Sequence, residues 1–189
     1  MGYYRETINK KWGYTLIEVL VAVAIFSTVI SVPTGFFISS LRSQHRALAL
    51  RETIDNTSYF VEYISRALRM ARKDIDGSCI SAKTNYEITK LGKGIKFENY
   101  EDPPVCQEFY WDTEYNQLRE WRYGETDLPL TPDDLEITQF QFQLSGQTQE
   151  DNLQPQITML LEIGKKGASG LPKIRIQTTV SQRNLDIEK

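Results

Sequence analysis

The chain has one histidine and two cysteines among 189 residues, and its formal net charge is only −3. Each scarcity removes a class of function. His45 has no nucleophile pattern near it, so the side chains of acyl-transfer catalysis are not assembled in any recognisable spacing, and no enzyme activity is expected. Cys79 and Cys106 are too few and too far apart for a paired-cysteine zinc site, which leaves them as the pair open to a disulfide in an oxidising compartment. A pI near 5.3 supplies no bulk positive charge for phosphate backbones and argues against nucleic acid as a partner. Asp74-x-Asp76-Gly77-Ser78 resembles the first part of a calcium loop, but the later ligands are missing. It reads as a helix-ending turn with Gly77 left-handed, while Asp133, Asp134 and Glu136 read as a solvated strand entrance. No metal and no cofactor is expected.

Charge is scarcest of all between Tyr14 and Leu41, where Glu18 is the one ionised side chain. That stretch exceeds the roughly 20 apolar residues a bilayer-spanning helix needs, and Arg5, Lys10 and Lys11 against Glu6 form a basic flank before it. A secretory signal peptide fits poorly. Pro33 occupies the region where a cleavage site would lie, and apolar character resumes at Gly35-Phe36-Phe37-Ile38. Arg42 and Arg46 put positive charge after the span too, so charge counting does not fix its orientation. A simple anchor leaves Glu18 unexplained. An acidic residue costs about 2.5 to 3.5 kcal/mol at the centre of a spanning helix and less toward its ends, so Glu18 calls for a cationic partner.

The run Lys10-Lys11-Trp12-Gly13-Tyr14-Thr15-Leu16-Ile17-Glu18, continued by the apolar residues to Phe26, resembles the class III leader and methylation motif of type IV pilins and type II secretion pseudopilins. The resemblance implies that a prepilin peptidase cuts after Gly13 and methylates the new amino group of Tyr14, where the family usually carries phenylalanine. It implies that Glu18, the fifth mature residue, serves assembly by pairing with a free N-terminal amine, in line with the attraction of opposite charges in a low-dielectric setting. The organisation it implies is a cytoplasmic leader at 1–13, a transmembrane and assembly helix at 14–41, an amphipathic helix at 42–75 and an exported antiparallel β domain at 76–189. Its partners would be the peptidase, other pilin or pseudopilin subunits and a membrane crossed once. Ala24-Ile25-Phe26-Ser27 and the ending Thr178 to Asn184 are loosely similar to larger minor pseudopilins of type II secretion. The expected function is a minor pilin or pseudopilin of a secretion or pilus filament. The alternative is a membrane-anchored minor pilin that captures DNA or a surface.

The residues also predict an α+β fold. Pro33 and Gly35 should kink the first helix, and no proline or glycine occurs from Arg42 to Lys73. Ala47, Leu50, Ile54, Thr57, Val61, Ile64, Leu68 and Ala71 alternate gaps of three and four, the spacing of one buried helical face, with Tyr59, Phe60, Tyr63 and Ala67 widening it. From Leu16 to Arg72 such a helix is about 85 Å long, more than a small domain can bury. Glu62, Arg66, Arg69 and Lys73 share another face, read as solvated and internally ion-paired. Beyond Gly77 the period becomes alternating, with strands predicted at Cys79–Ala82, Gly94–Tyr100, Cys106–Trp111, Gln117–Tyr123, Ile137–Leu144, Ile157–Ile163 and Ile174–Ser181. They should form a twisted antiparallel sheet with one face on the helix.

Overall fold

The structure, a computed structural model, describes residues 13–147, 153–167 and 172–183. The leader up to residue 12 and part of the connection 164–172 lie outside the described residues. The chain divides into two compact units, Met1–Arg46 and Ala47–Lys189. Helix α1, Leu16–Arg69, contains Pro33 without ending there. Within the first unit the described apolar side chains are largely exposed, with Tyr14 82%, Phe26 66% and Phe36 77%.

In the second unit the strands are β1 Ala71–Arg72, β2 Glu87–Thr89, β3 Gly94–Asn99, β4 Val105–Asp112, β5 Gln117–Arg122, β6 Leu128–Pro129, β7 Leu135–Ser145, β8 Gln156–Lys165 and β9 Ile174–Ser181. They form two antiparallel sheets. One runs β1-β3-β4-β5-β6 with β2 also on β3, and the other is the meander β7-β8-β9. The predicted strand Cys79–Ala82 is not one: residues 73–84 form turns closed by a single bridge between Asp74 and Thr84.

One core joins the helix to both sheets. Phe60, Ile64 and Leu68 of α1 pack with Ile95, Phe97, Phe109 and Leu118 of the first sheet and with Ile137, Phe140, Leu161 and Ile163 of the second. Phe97 and Phe109 sit 6.0 Å apart between ring centres, and Tyr63 meets Phe109 edge-on, also at 6.0 Å. The buried helical face passes through Thr53, Thr57, Phe60, Ile64 and Leu68. Relative to the predicted seam it is turned by about one residue in its first half, so that Ile54 is 45% exposed. Thr53 and Thr57 tolerate burial because their hydroxyls donate to the carbonyls of Ala49 and Thr53, leaving only methyls to face the core.

The helix ends earlier than the sequence suggests, and for a different reason. Gly77 does not stop it. Instead the carbonyls at the helix end find donors in the segments that flank the strands: Tyr86 Oη donates to Leu68 O at 2.8 Å, Arg183 N to Arg69 O at 2.8 Å and Tyr100 N to Met70 O at 2.8 Å. Ala71–Arg72 then pairs with Glu98–Asn99 of β3. Tertiary donors thus take the place of the glycine cap that would otherwise satisfy these orphan carbonyls.

Candidate functional site

Gly13, Tyr14 and Thr15 precede the first helical residue, and all three are exposed. Thr15 caps the helix, its Oγ1 accepting the backbone N–H of Glu18 at 3.3 Å. The spacing Thr15-x-x-Glu18 is that of a capping box, and a carboxylate in the first turn is also favoured by the helix dipole. Sequence reasoning missed this role of Thr15, although the four-residue pattern carries the signal. The cap fixes where the helix begins and leaves Gly13 and Tyr14 ahead of its first turn.

Tyr14, Glu18, Ala22 and Phe26 follow at four-residue steps, and with Val19 and Val23 they line one open groove on the helix surface. Gly13, Tyr14 and Glu18 are therefore brought together at one helix start. Four hydroxyls further along are satisfied internally: Ser27 donates to Val23 O at 2.8 Å, Thr28 to Ile25 O at 2.8 Å, Ser31 to Ser27 O at 2.6 Å and Thr34 to Ile30 O at 2.8 Å. Such back-bonding suits a segment surrounded by hydrocarbon, where an unpaired polar group is costly. Glu18 remains the one ionisable carboxylate on an otherwise apolar, unpacked surface. An exposed apolar surface of this extent requires lipid or neighbouring protein.

The other residues singled out by sequence lie in the second unit. Cys79 and Cys106 are bonded, with their Cα atoms 5.4 Å apart, which ties the turn region to β4. Asp74 is 1% exposed, and its carboxylate is fully engaged: Oδ1 accepts from Gly77 N at 2.8 Å and Ser78 N at 3.2 Å, Oδ2 from Cys79 N at 2.7 Å and Ile80 N at 2.9 Å. Burial alone would raise its pKa, but these donors from Ile80, Cys79, Ser78 and Gly77 outweigh it and hold the carboxyl below its ordinary value. Asp74 is thus the organiser of a turn. Asp133 accepts from Gln117 Nε2 at 2.8 Å and Asp134 lies 3.7 Å from Lys165, both on the surface, and His45 is exposed on α1.

A polar network that the sequence did not announce crosses the first sheet beside the core. Glu120, 5% exposed, accepts from Tyr63 Oη at 2.8 Å, from Arg122 Nε at 2.7 Å and from the buried amide of Gln107. Gln107 in turn accepts from Asn99 Nδ2 at 2.9 Å. Burial and then the hydrogen bond to Glu120 push the Tyr63 phenol above its usual pKa, so it stays a neutral donor. With every member partnered, the network pins helix to sheet.

Comparison with known proteins places one feature. The family model of the prokaryotic N-terminal methylation motif matches residues 9–32. No curated protein and no solved structure matches the chain. The motif supports a structural subunit of the type IV pilin and pseudopilin kind, and with the apolar helix it supports single-pass membrane anchoring.

Proposed function

We propose that the chain is a minor pilin or pseudopilin, a non-catalytic subunit of a type II secretion or type IV pilus filament. Prepilin peptidase releases it from its leader between Gly13 and Tyr14 and methylates the Tyr14 amine. The single observation that carries this reading is the methylation motif at 9–32, whose Glu18 is the one carboxylate in the apolar stretch from Tyr14 to Leu41. In hydrocarbon that carboxylate gains most from a cation held close by. The freed amine at Tyr14 lies four positions earlier, and that of an adjacent subunit would serve equally. The apolar helix first holds the subunit in the membrane and then packs against other subunits, while the β domain remains exported and shapes the filament surface.

The experiment is mass spectrometry of the mature N-terminus in wild type and Gly13→Val. A wild-type chain beginning at methylated Tyr14, and a variant that keeps its leader and stays out of filaments, are the expected results. A variant that still begins at Tyr14 sinks the assignment of the cut.

A further inference from the structure

The face shared by Arg66 and Arg69 acquires in the structure a neighbour that helical spacing could not reveal. Arg183, just past β9, donates its backbone N–H to Arg69 O at 2.8 Å. A groove of about 760 Å³ opens there, lined by Arg66, Arg69, Met70, Thr179, Ser181 and Arg183. Arg66 is bridged to Glu62 at 2.7 Å, but that pair is exposed on both sides and of a kind worth little. Among the described residues neither Arg69 nor Arg183 makes a close ion pair, and Arg69 acts on the nearby Glu62 only through space. A cationic groove has therefore formed on a chain whose net charge is −3.

The second wall of the groove is a strand edge. β9 pairs with β8 along its whole length, Ile174 with Ile163 through Ser181 with Gln156, and among the described residues no strand pairs with its other side. An open edge offers a row of backbone donors and acceptors that another extended polypeptide matches. Thr179 and Ser181 on this strand are exposed, the Thr179 hydroxyl sharing a hydrogen bond with that of Thr158 on β8 at 3.0 Å, and neither side chain repels an incoming strand or specifies an apolar one. The arginines decide the charge, because guanidinium forks favour carboxylates in paired geometry. Among the described residues no aromatic side chain lines the groove, so they offer no stacking platform of the kind by which single-stranded nucleic acid is held.

We propose that the groove between the last turn of α1 and the edge of β9 is a docking site for an extended, acidic segment of a partner polypeptide, which adds to β9 as a strand and places its carboxylates on Arg69 and Arg183. This site lies wholly in the second unit and does not depend on the filament reading. The test uses the full chain in non-ionic detergent and a fluorescein-labelled peptide as long as β9 that alternates valine and aspartate, followed by anisotropy. Saturable binding is expected, weakened about tenfold or more in Arg69→Gln/Arg183→Gln, by replacing aspartate with lysine, and by methylating alternate peptide amides. Both arginine side chains are exposed and the backbone bond between them survives substitution, so an unchanged unfolding midpoint should accompany the loss. The proposal is overturned if saturable binding is absent, if the double variant or the methylated peptide binds as well as its parent, or if an oligothymidylate of equal charge binds more tightly than the peptide.

Discussion

Replacing Asp74 by asparagine keeps the size of a buried side chain while removing half its capacity to accept. Four backbone N–H groups converge on the two carboxylate oxygens, and an asparagine amide can receive only two of them. Its own NH₂ would face the other pair. At a site 1% exposed, each stranded donor costs about 1 to 3 kcal/mol, so Asp74→Asn should destabilise the second unit by about 4 kcal/mol. For a domain of that size this corresponds to a fall of roughly 10 °C in Tm. Asp112→Asn is the control: Asp112 Oδ1 also accepts from backbone, Glu114 N at 2.9 Å and Tyr115 N at 3.3 Å, but in an exposed turn, and the loss there should stay below about 1 kcal/mol. The pH dependence has a definite sign. The folded pKa of Asp74 lies below its ordinary 3.8, so the ionised group stabilises fully above that value and the contribution is lost as pH falls through the lowered folded pKa. The gap between wild type and variant, measured by thermal unfolding followed by near-UV circular dichroism, should be constant at neutral pH and narrow only below about pH 4. A Tm for Asp74→Asn within experimental error of wild type at pH 7 would refute the reasoning.

The Cys79–Cys106 bond, with a sequence separation of 27, should contribute about 3.5 kcal/mol by loop-closure entropy; a midpoint indifferent to reductant, or two free thiols on peptide mapping, contradicts it. Because Asp74 also holds the N–H of Cys79, Asp74→Asn and Cys79→Ser should be non-additive by at least about 0.5 kcal/mol in a double-mutant cycle, and strict additivity would show that the turn and the bond act separately. Ile64→Ala, at a fully buried position in the common core, should cost about 2 to 5 kcal/mol in denaturant unfolding, and a cost under 1 kcal/mol would mean that helix and sheets are not packed as described. Glu18→Ala should leave membrane insertion and leader cleavage intact while abolishing recovery in sheared filaments; wild-type recovery there removes the assembly role proposed for Glu18.

What could be read from the chain depended on how far each signal extends along it. The apolar span with its lone carboxylate is a contiguous pattern, and the methylation motif fell to inspection because its residues are neighbours. Strands β3, β4, β5, β8 and β9 were legible because each runs for six residues or more. β1, β2 and β6 run for two or three residues, too short for any period, and exist because longer strands offer them an edge. Strand β7 shows a subtler limit. Leu135 and Ile137 are buried at odd positions, Phe140 and Phe142 at even ones, and the register shift between Ile137 and Gln139 is what returns both pairs to the core. A strict alternation starting at Ile137 would have turned the two phenylalanines to solvent, so a bulge was demanded by the sequence even though its position was not evident. The helix face failed in the opposite way. Two lines one residue apart both satisfy the three-four spacing, and hydrophobicity favours the line with Ile54, but threonines that bond their own helix are cheap to bury. The polar features lay furthest from view. Asp74 and the Glu120 network draw their meaning from donors brought together by folding, and Arg183 joins Arg69 across 114 positions of chain only because β9 returns to the end of α1.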